Sequence, residues 1–359
     1  MVRLKCLISI KIIGGFLSSK ERLFILYIQE NDNITRDLKS TVLSDKKKNG
    51  QERPWRDKKI ANVAYYELLE ILKFKKVERV SLCGDILEFH VSDEGEMKLA
   101  KAWFCKSPLC PMCNWRKSMK LSVQTTKVVT EVIRQKPKAR WLFLTLTLKN
   151  VYDGEQLDRI LKEMAIGFNR LMKYKKVQKN MVGFMRSTEV TVNLKDGSYN
   201  QHMHVLLCVE STYFKGSENY IEQEEWTNLW QKAMKLDYVP IVHVEAVRDK
   251  KRKELSELLP SGVQSAIQET AKYSVKDCDY LTGNQARDLE VVQDLETGLY
   301  RKRMISYGGL LKQVHKELNL DDAEDGDLVH IDDEKDEVQQ KAYSVVAFWN
   351  WEKQNYFIE

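Results

Sequence analysis

Three groups of residues in this chain have types and spacings that could do chemistry. The first is His202-Met203-His204, inside the alternating stretch QHMHVLLCVE. A strand has a side-chain period of two, so both imidazoles fall on one face, with Met203 and Val205 on the other. The strand before it, MRSTEVTVN, is followed by LKDGSY, where Asp196-Gly197 is a strong two-residue hairpin signal. A turn centred there predicts Glu189 opposite His204 and Thr191 opposite His202. Two imidazoles and a carboxylate on one face suit Mg²⁺, Mn²⁺ or another divalent ion with positions left open for a substrate oxygen.

The second group is Cys105-x4-Cys110-x2-Cys113, with Cys83 upstream. Thiolates are the softest side-chain ligands, and Zn²⁺ closes four of them into a structural knot. Pro111 gives the CPMC chelate loop a pre-set turn, and Gly84 offers a matching turn beside Cys83. The third group lies in VQSAIQETAKYSVKD. One helix through Val263–Asp277 would carry Val263, Ile267, Ala271 and Val275 on an apolar stripe. Glu269, Tyr273 and Lys276 would then share the other side at i,i+4 and i,i+3. Such a face presents a phenol nucleophile, a carboxylate base and a cation to a phosphate.

The elements that must position these groups follow from periodicity. A helical stripe begins near Ile60, strand-like alternation covers 78–90, and a further strand, KLAKAWF, leads into the cysteines. A helix is expected over 115–136 and a buried strand over 140–149 (RWLFLTLTLK). Helical spacing returns over 154–176, followed by the two hairpin strands, a helix over 222–235 and a strand over 239–247. The order β-α-β-β-α-β-α predicts an α+β fold with a central antiparallel sheet, close to the split βαβ pattern, one face covered by helices and one open.

Composition narrows the function class. The 359 residues are 31% charged and 43% hydrophobic, with only 16 glycines and 6 prolines, so collagen-like and low-complexity classes are excluded. Mean hydropathy is −0.47, which suits a soluble protein. The odd count of 7 cysteines, tightly clustered, argues against a secreted disulfide framework. With no cleavage-site pattern after the interrupted apolar run at the N-terminus, a cytoplasmic protein is expected. The net charge is +6, but residues 320–337 alone hold ten acids and one base, a local −9. The rest of the chain therefore sums to +15, six plus nine, as suits a partner that is a polyanion.

FLTLT (143–147), STEVTVN with NQHMHVLL (187–207) and ETAKYSVK (269–276) occur in an order that resembles the three motifs of plasmid rolling-circle replication initiators. These belong to the HUH endonucleases, in which U is a hydrophobic residue, here Met203. The upstream CG…FCKSPLCPMCNWRKS (83–118) is similar to the cysteine-containing region of the single-tyrosine branch with an assisting glutamate. The resemblance spans roughly 55–285. It implies metal ligation by His202, His204 and Glu189, and a structural zinc on Cys83, Cys105, Cys110 and Cys113. It implies that Tyr273 nicks one strand at the plasmid's double-strand origin, leaving a 5′-phosphotyrosine and a 3′-OH primer. Glu269 would activate water for termination, with Lys276 assisting. Mg²⁺ or Mn²⁺, origin DNA single-stranded or extruded as a hairpin, and a host helicase and DNA polymerase are the implied cofactors and partners; a dimer is one possible assembly.

The organisation expected is an N-terminal arm (1–55), a cysteine-rich zinc- and DNA-binding region (56–137), an HUH catalytic domain (138–285) and a C-terminal region (286–359). Arg116, Lys117, Arg140, Lys173, Lys175 and Lys176 are candidate DNA contacts, and the basic run 249–255 is a loop that would face DNA. The competing readings are a zinc-containing DNA-binding regulator without enzymatic activity, and an HUH transposase or relaxase.

Overall fold

The structure is a computed structural model that describes residues 41–47, 49–248, 259–272, 274–322, 324–331 and 343–358. Val42–Ile358 form one compact unit; the other, Met1–Thr41 with Glu359, lies outside the described residues except for Thr41. Asp45 is buried and accepts a hydrogen bond from the indole of buried Trp55 at 2.7 Å, so the chain is already packed before residue 55.

Two antiparallel five-stranded sheets carry the site elements. The first contains β1 (Thr41–Val42), β2 (Ile86–Val91), β3 (Met97–Ala102), β9 (Tyr343–Asn350) and β10 (Asn355–Ile358), in the order β1–β10–β9–β2–β3. The aromatic C-terminal hairpin thus returns to the cysteine region: β9 pairs along the whole of β2, and Ala347, Trp349 and Tyr356 are buried. Helix α1 (Trp55–Ile71) packs beside it. Residues 78–81, expected as strand, belong to the short helix Val77–Ser81, and the strand begins only at Ile86.

The second sheet contains β4 (Arg140–Thr147), β5 (Met181–Val192), β6 (Tyr199–Val209), β7 (Val242–Ala246) and β8 (Ile305–Gly308), in the order β7–β4–β6–β5–β8. Helix α2 (Pro111–Gln135) precedes it. Helix α3 (Gly154–Leu171) crosses from β4 to β5, and α4 (Gln223–Met234) crosses from β6 to β7. In each crossover a third strand lies between the two that are joined, which is the split βαβ pattern. Asp153 caps α3, accepting the Gln156 N–H at 2.8 Å, a device worth about 1 kcal/mol. Leu157, Leu161, Met164 and Phe168 form its buried stripe. That stripe packs on Leu142, Leu144, Leu146, Met203, Val205 and Leu207, together with Trp226 and Trp230 of α4 and Val292 and Leu295 of α6 (Gln285–Gly298).

The opposite face is not wholly open. Helix α2, α5 (Ser261–Thr270) and α7 (Gly309–Glu317) cover one end of it, burying Val128, Val132, Ile267 and Leu311 against Trp141, Phe143, Met185, Leu206 and Cys208. Apolar residues at the β6 positions 206 and 208 demand that cover. Polar residues at 202 and 204 leave the other end of the same face for the site. No helix of the described residues is long and apolar enough to cross a membrane.

Candidate active site

Glu189 and His202 are direct partners across β5 and β6, and Ser187 faces His204. The expected register is off by two. Val192 pairs with Tyr199, so four residues, Leu194–Gly197, make the loop in place of two. Asn193 explains the wider turn: its carbonyl accepts the Gly197 N–H at 2.9 Å and its side chain accepts the Lys195 N–H at 3.0 Å. A shift by two preserves the face, so Glu189, His202 and His204 still converge. The Nε2 atoms of His202 and His204 lie 3.3 and 3.4 Å from Glu189 Oε2. Nδ1 of His202 is 3.1 Å from Asn200 Oδ1, and Nδ1 of His204 is 3.3 Å from Thr145 Oγ1. Both rings are thereby held with Nε2 toward the carboxylate, as metal-ligating histidines are held by outer partners. Asn200 and Thr145 were missed in the sequence reading. The signal was available, since each shares the imidazole face by strand period.

Lys276 adds a cation, its Nζ 3.1 Å from Glu189 Oε1. Burial opposes the charge on Glu189, but hydrogen bonds from His202, His204 and Lys276 prevail and hold its carboxyl well below the usual carboxylate range. The three ligand atoms lie within 4.8 Å of one another. Adjacent ligands about 2.1 Å from a divalent ion stand about 3 Å apart at right angles, so the set fits such an ion. Glu189 is also the partner that leaves one oxygen to Lys276 and the other to the cluster.

The single helix expected to unite Glu269, Tyr273 and Lys276 does not form. Helix α5 stops at Thr270, and Lys276 has extended backbone at the start of a short helix, Asp277–Tyr280. Tertiary bonds take over from the helical ladder: Ser118 donates to Ala271 O at 2.6 Å, and Ser274 O accepts the Val190 N–H at 2.8 Å. The segment is thus laid along β5 beside Glu189. Tyr273 itself lies outside the described residues, as do 249–255. Glu269 pairs with Lys272 at 2.5 Å, partly exposed, and does not join the Glu189 cluster.

Cys83, Cys105, Cys110 and Cys113 meet as the spacing predicts. All four are buried, and three of their Sγ–Sγ separations are 3.6 Å. A tetrahedral zinc with bonds of about 2.3 Å requires edges of about 3.8 Å. Pro111 opens α2, with Cys110 as its cap, so Cys113 sits in the first turn. Gly84 takes φ +66° and donates to Trp103 O at 2.9 Å; a Cβ there would meet Met112 at 2.5 Å. Backbone N–H groups of Cys105, Lys106 and Ser107 point at sulfurs of Cys83, Cys113 and Cys105. Burial pushes the Cys83 and Cys113 thiols well up, whereas hydrogen bonds from the neighbouring sulfurs outweigh burial at Cys110 and pull it down; four buried sulfurs at this spacing fit Zn²⁺. Fully buried Lys59, unnoticed in the sequence, donates to Ser81 O and Cys83 O and pairs with Asp85 at 2.6 Å, bracing the loop that carries Cys83.

The candidate DNA contacts separate. Arg116 is buried and donates to Leu328 O and Val329 O at 2.8 and 2.7 Å, so its guanidinium is committed within the fold and is withdrawn as a surface contact. Arg140 pairs with Val209 at the far end of β4, about 17 Å along the sheet from His204 at 3.3 Å per residue. Lys173 and Lys175 are exposed, and Lys176 pairs with Glu225 at 2.6 Å; all three precede β5 at that same far end. Lys117 alone lines a pocket together with Ser274.

Residues 96–357 match the family described as replication protein. A "Protein rep" of Lactiplantibacillus plantarum is 51% identical over 89% of this chain and 99% of its own length. A "Replication protein" of Staphylococcus aureus is 59% identical over 67% of this chain and 100% of its own. A "Protein rep" of Streptococcus pneumoniae is 44% identical over 89% and 96%. No solved structure matches. With the family matched over most of the chain and relatives aligned along nearly their whole length, the chain belongs to the replication protein family, that of plasmid replication initiators.

Proposed function

We propose that this chain starts rolling-circle replication by nicking one strand of its plasmid origin as an HUH endonuclease. The observation that carries the reading is the Glu189/His202/His204 cluster with the 271–276 segment bonded alongside it, through Ser274 O to Val190 and Lys276 to Glu189. That segment contains Tyr273, the proposed nucleophile. Its phenolate oxygen attacks the scissile phosphorus; the bond to the 3′ oxygen breaks, that oxygen gains a proton, and the phenol's proton leaves to solvent. The products are a 5′-phosphotyrosine and a 3′-OH primer.

His202, His204 and Glu189 would hold Mg²⁺ or Mn²⁺, which when bound supplies positive charge against the scissile phosphate. Asn200 and Thr145 fix the imidazoles, and hydrogen bonds from His202, His204 and Lys276 keep Glu189 ionised. Glu269, partly exposed at the end of α5, takes the proton of the water that ends the cycle. Cys83, Cys105, Cys110 and Cys113 hold a structural Zn²⁺. A host helicase and DNA polymerase would then use the opened origin and its primer.

The test is a denaturing gel for covalent complex, using single-stranded oligonucleotides that carry the replicon's nick site, with and without Mn²⁺. An adduct that requires Mn²⁺ and disappears in Tyr273→Phe is expected. Glu269→Ala should retain the first adduct and lose the terminating cleavage. No wild-type adduct under any condition would leave a DNA-binding regulator as the better account.

A further inference from the structure

One pocket outside the metal cluster adjoins it through the backbone. Its volume is about 380 Å³, within the usual ligand-site range of roughly 300–1,000 Å³. Ser274 and Met304 both line it, and both accept from β5: Ser274 O from Val190 N at 2.8 Å and Met304 O from Thr188 N at 2.8 Å. These two bonds flank Glu189 in sequence. The pocket is therefore fixed to the strand that carries the carboxylate, and it is lined by Lys272 and Ser274, the covalent neighbours of Tyr273.

Its charge is uneven. Arg303 is bound to Asp322 at 2.5 Å and lies 3.8 Å from Glu324; Lys302 is paired with Asp158; Lys106 donates to Asp325 O at 2.7 Å. The acidic segment, with Asp158 of α3, thus commits one side of the pocket. Lys117, whose charge acts on Glu324 without a close ion pair among the described residues, and exposed Arg301, which lies over the Tyr300 ring, line the rest with Lys272. The Lys272–Glu269 pair is partly exposed, 44% and 40%, and such pairs are worth about 0–1 kcal/mol, so a phosphate can replace the carboxylate. Leu121 and Ile305 add apolar surface for a sugar or base.

We propose that this pocket is the subsite for the single DNA strand flanking the scissile phosphate, with Lys117, Arg301 and Lys272 meeting its phosphates. The assignment of a strand next to a reacting phosphate rests on the nicking reading above; the polyanion site itself does not. Cations lining a bounded pocket suit a backbone threaded singly, because an unpaired strand can follow the cavity while its neighbouring phosphodiester reaches the segment carrying Tyr273.

The experiment is fluorescence anisotropy of the full chain with a labelled single strand spanning the nick site, across a salt series. Lys117→Ala/Arg301→Ala should weaken binding about tenfold and reduce the salt slope by about 1.4, two phosphates at about 0.7 each. Lys138→Ala/Lys215→Ala, the same charge change on exposed residues at the far, Arg140–Val209 end of the sheet, should leave both near wild type. Zinc content and Mn²⁺ binding should be unchanged in both pairs. An unaltered affinity and slope in the first pair, or an equal loss in the second, overturns the proposal. Full displacement of the strand by inorganic phosphate at unchanged ionic strength would instead make this a free-phosphate site and also overturn it. If the wild type forms no covalent adduct yet the first pair loses strand binding, the nicking reading fails and the polyanion site stands.

Discussion

Glu189 is a carboxylate facing two imidazoles and an ammonium, with Oε2 shared by the histidines and Oε1 held by Lys276. Period-two alternation made this face legible from the sequence, because His202, His204 and Glu189 keep their parity however many pairs of residues the turn adds. The register was not legible: Asn193 builds a four-residue loop from its own backbone and side chain, and Asp196-Gly197 does not reveal that. Nor was the Lys276 contact, which depends on where a helix ends. Asn200 tests the residue-scale argument. Asn200→Ala removes the acceptor beside His202 Nδ1, and loss of such an outer partner costs about 10–100-fold in metal affinity. Mn²⁺ titration followed by electron paramagnetic resonance should show that loss; wild-type affinity would mean the ring needs no positioning.

At the scale of elements, the strands and crossover helices of the second sheet were readable because each carries a clean period and a turn signal. The end of α5 was not. No glycine or proline interrupts Thr270–Lys276; the helix gives way because Ser118 and Val190 offer tertiary partners. The C-terminal hairpin was equally hidden, since its pairing with β2 joins segments more than 250 residues apart. That pairing makes the cysteine site a shared product of both chain ends. Cys110→Ser should therefore abolish zinc binding by atomic absorption and lower the melting temperature together. In the wild type, a strong chelator should produce the same shift and added Zn²⁺ should reverse it. An unchanged melt after complete zinc removal would make the four-sulfur cluster dispensable.

Across the whole molecule, the split between a basic body and an acidic segment proves to be partly internal. Asp321 binds Lys120, whose side chain is 2% exposed, at 2.5 Å, and Asp327 O accepts from the same ammonium. Leu328 is buried, and its carbonyl with that of Val329 binds Arg116. Asp321 thus neutralises a buried cation of α2, the Leu328 and Val329 carbonyls take Arg116 of the same helix, and Asp322 and Glu324 face Arg303. Asp321→Asn should destabilise the protein by about 2–3 kcal/mol, less than the 3–5 lost when a fully buried pair is broken, because Asp321 is half exposed. Urea denaturation checks this; a change below about 0.5 kcal/mol, the range of neutral surface substitutions, would mark the pair as superficial.

The claim that joins these scales is that Tyr273, whose chain neighbours Lys272 and Ser274 line the basic pocket, takes the cut strand. The most direct measurement is mass spectrometry of the covalent complex formed with a nick-site single strand in Mn²⁺. The account predicts a nucleotide phosphate on the tryptic peptide carrying Tyr273, and no adduct in Tyr273→Phe. A modification on any other tyrosine, or an undiminished adduct in that variant, would contradict it.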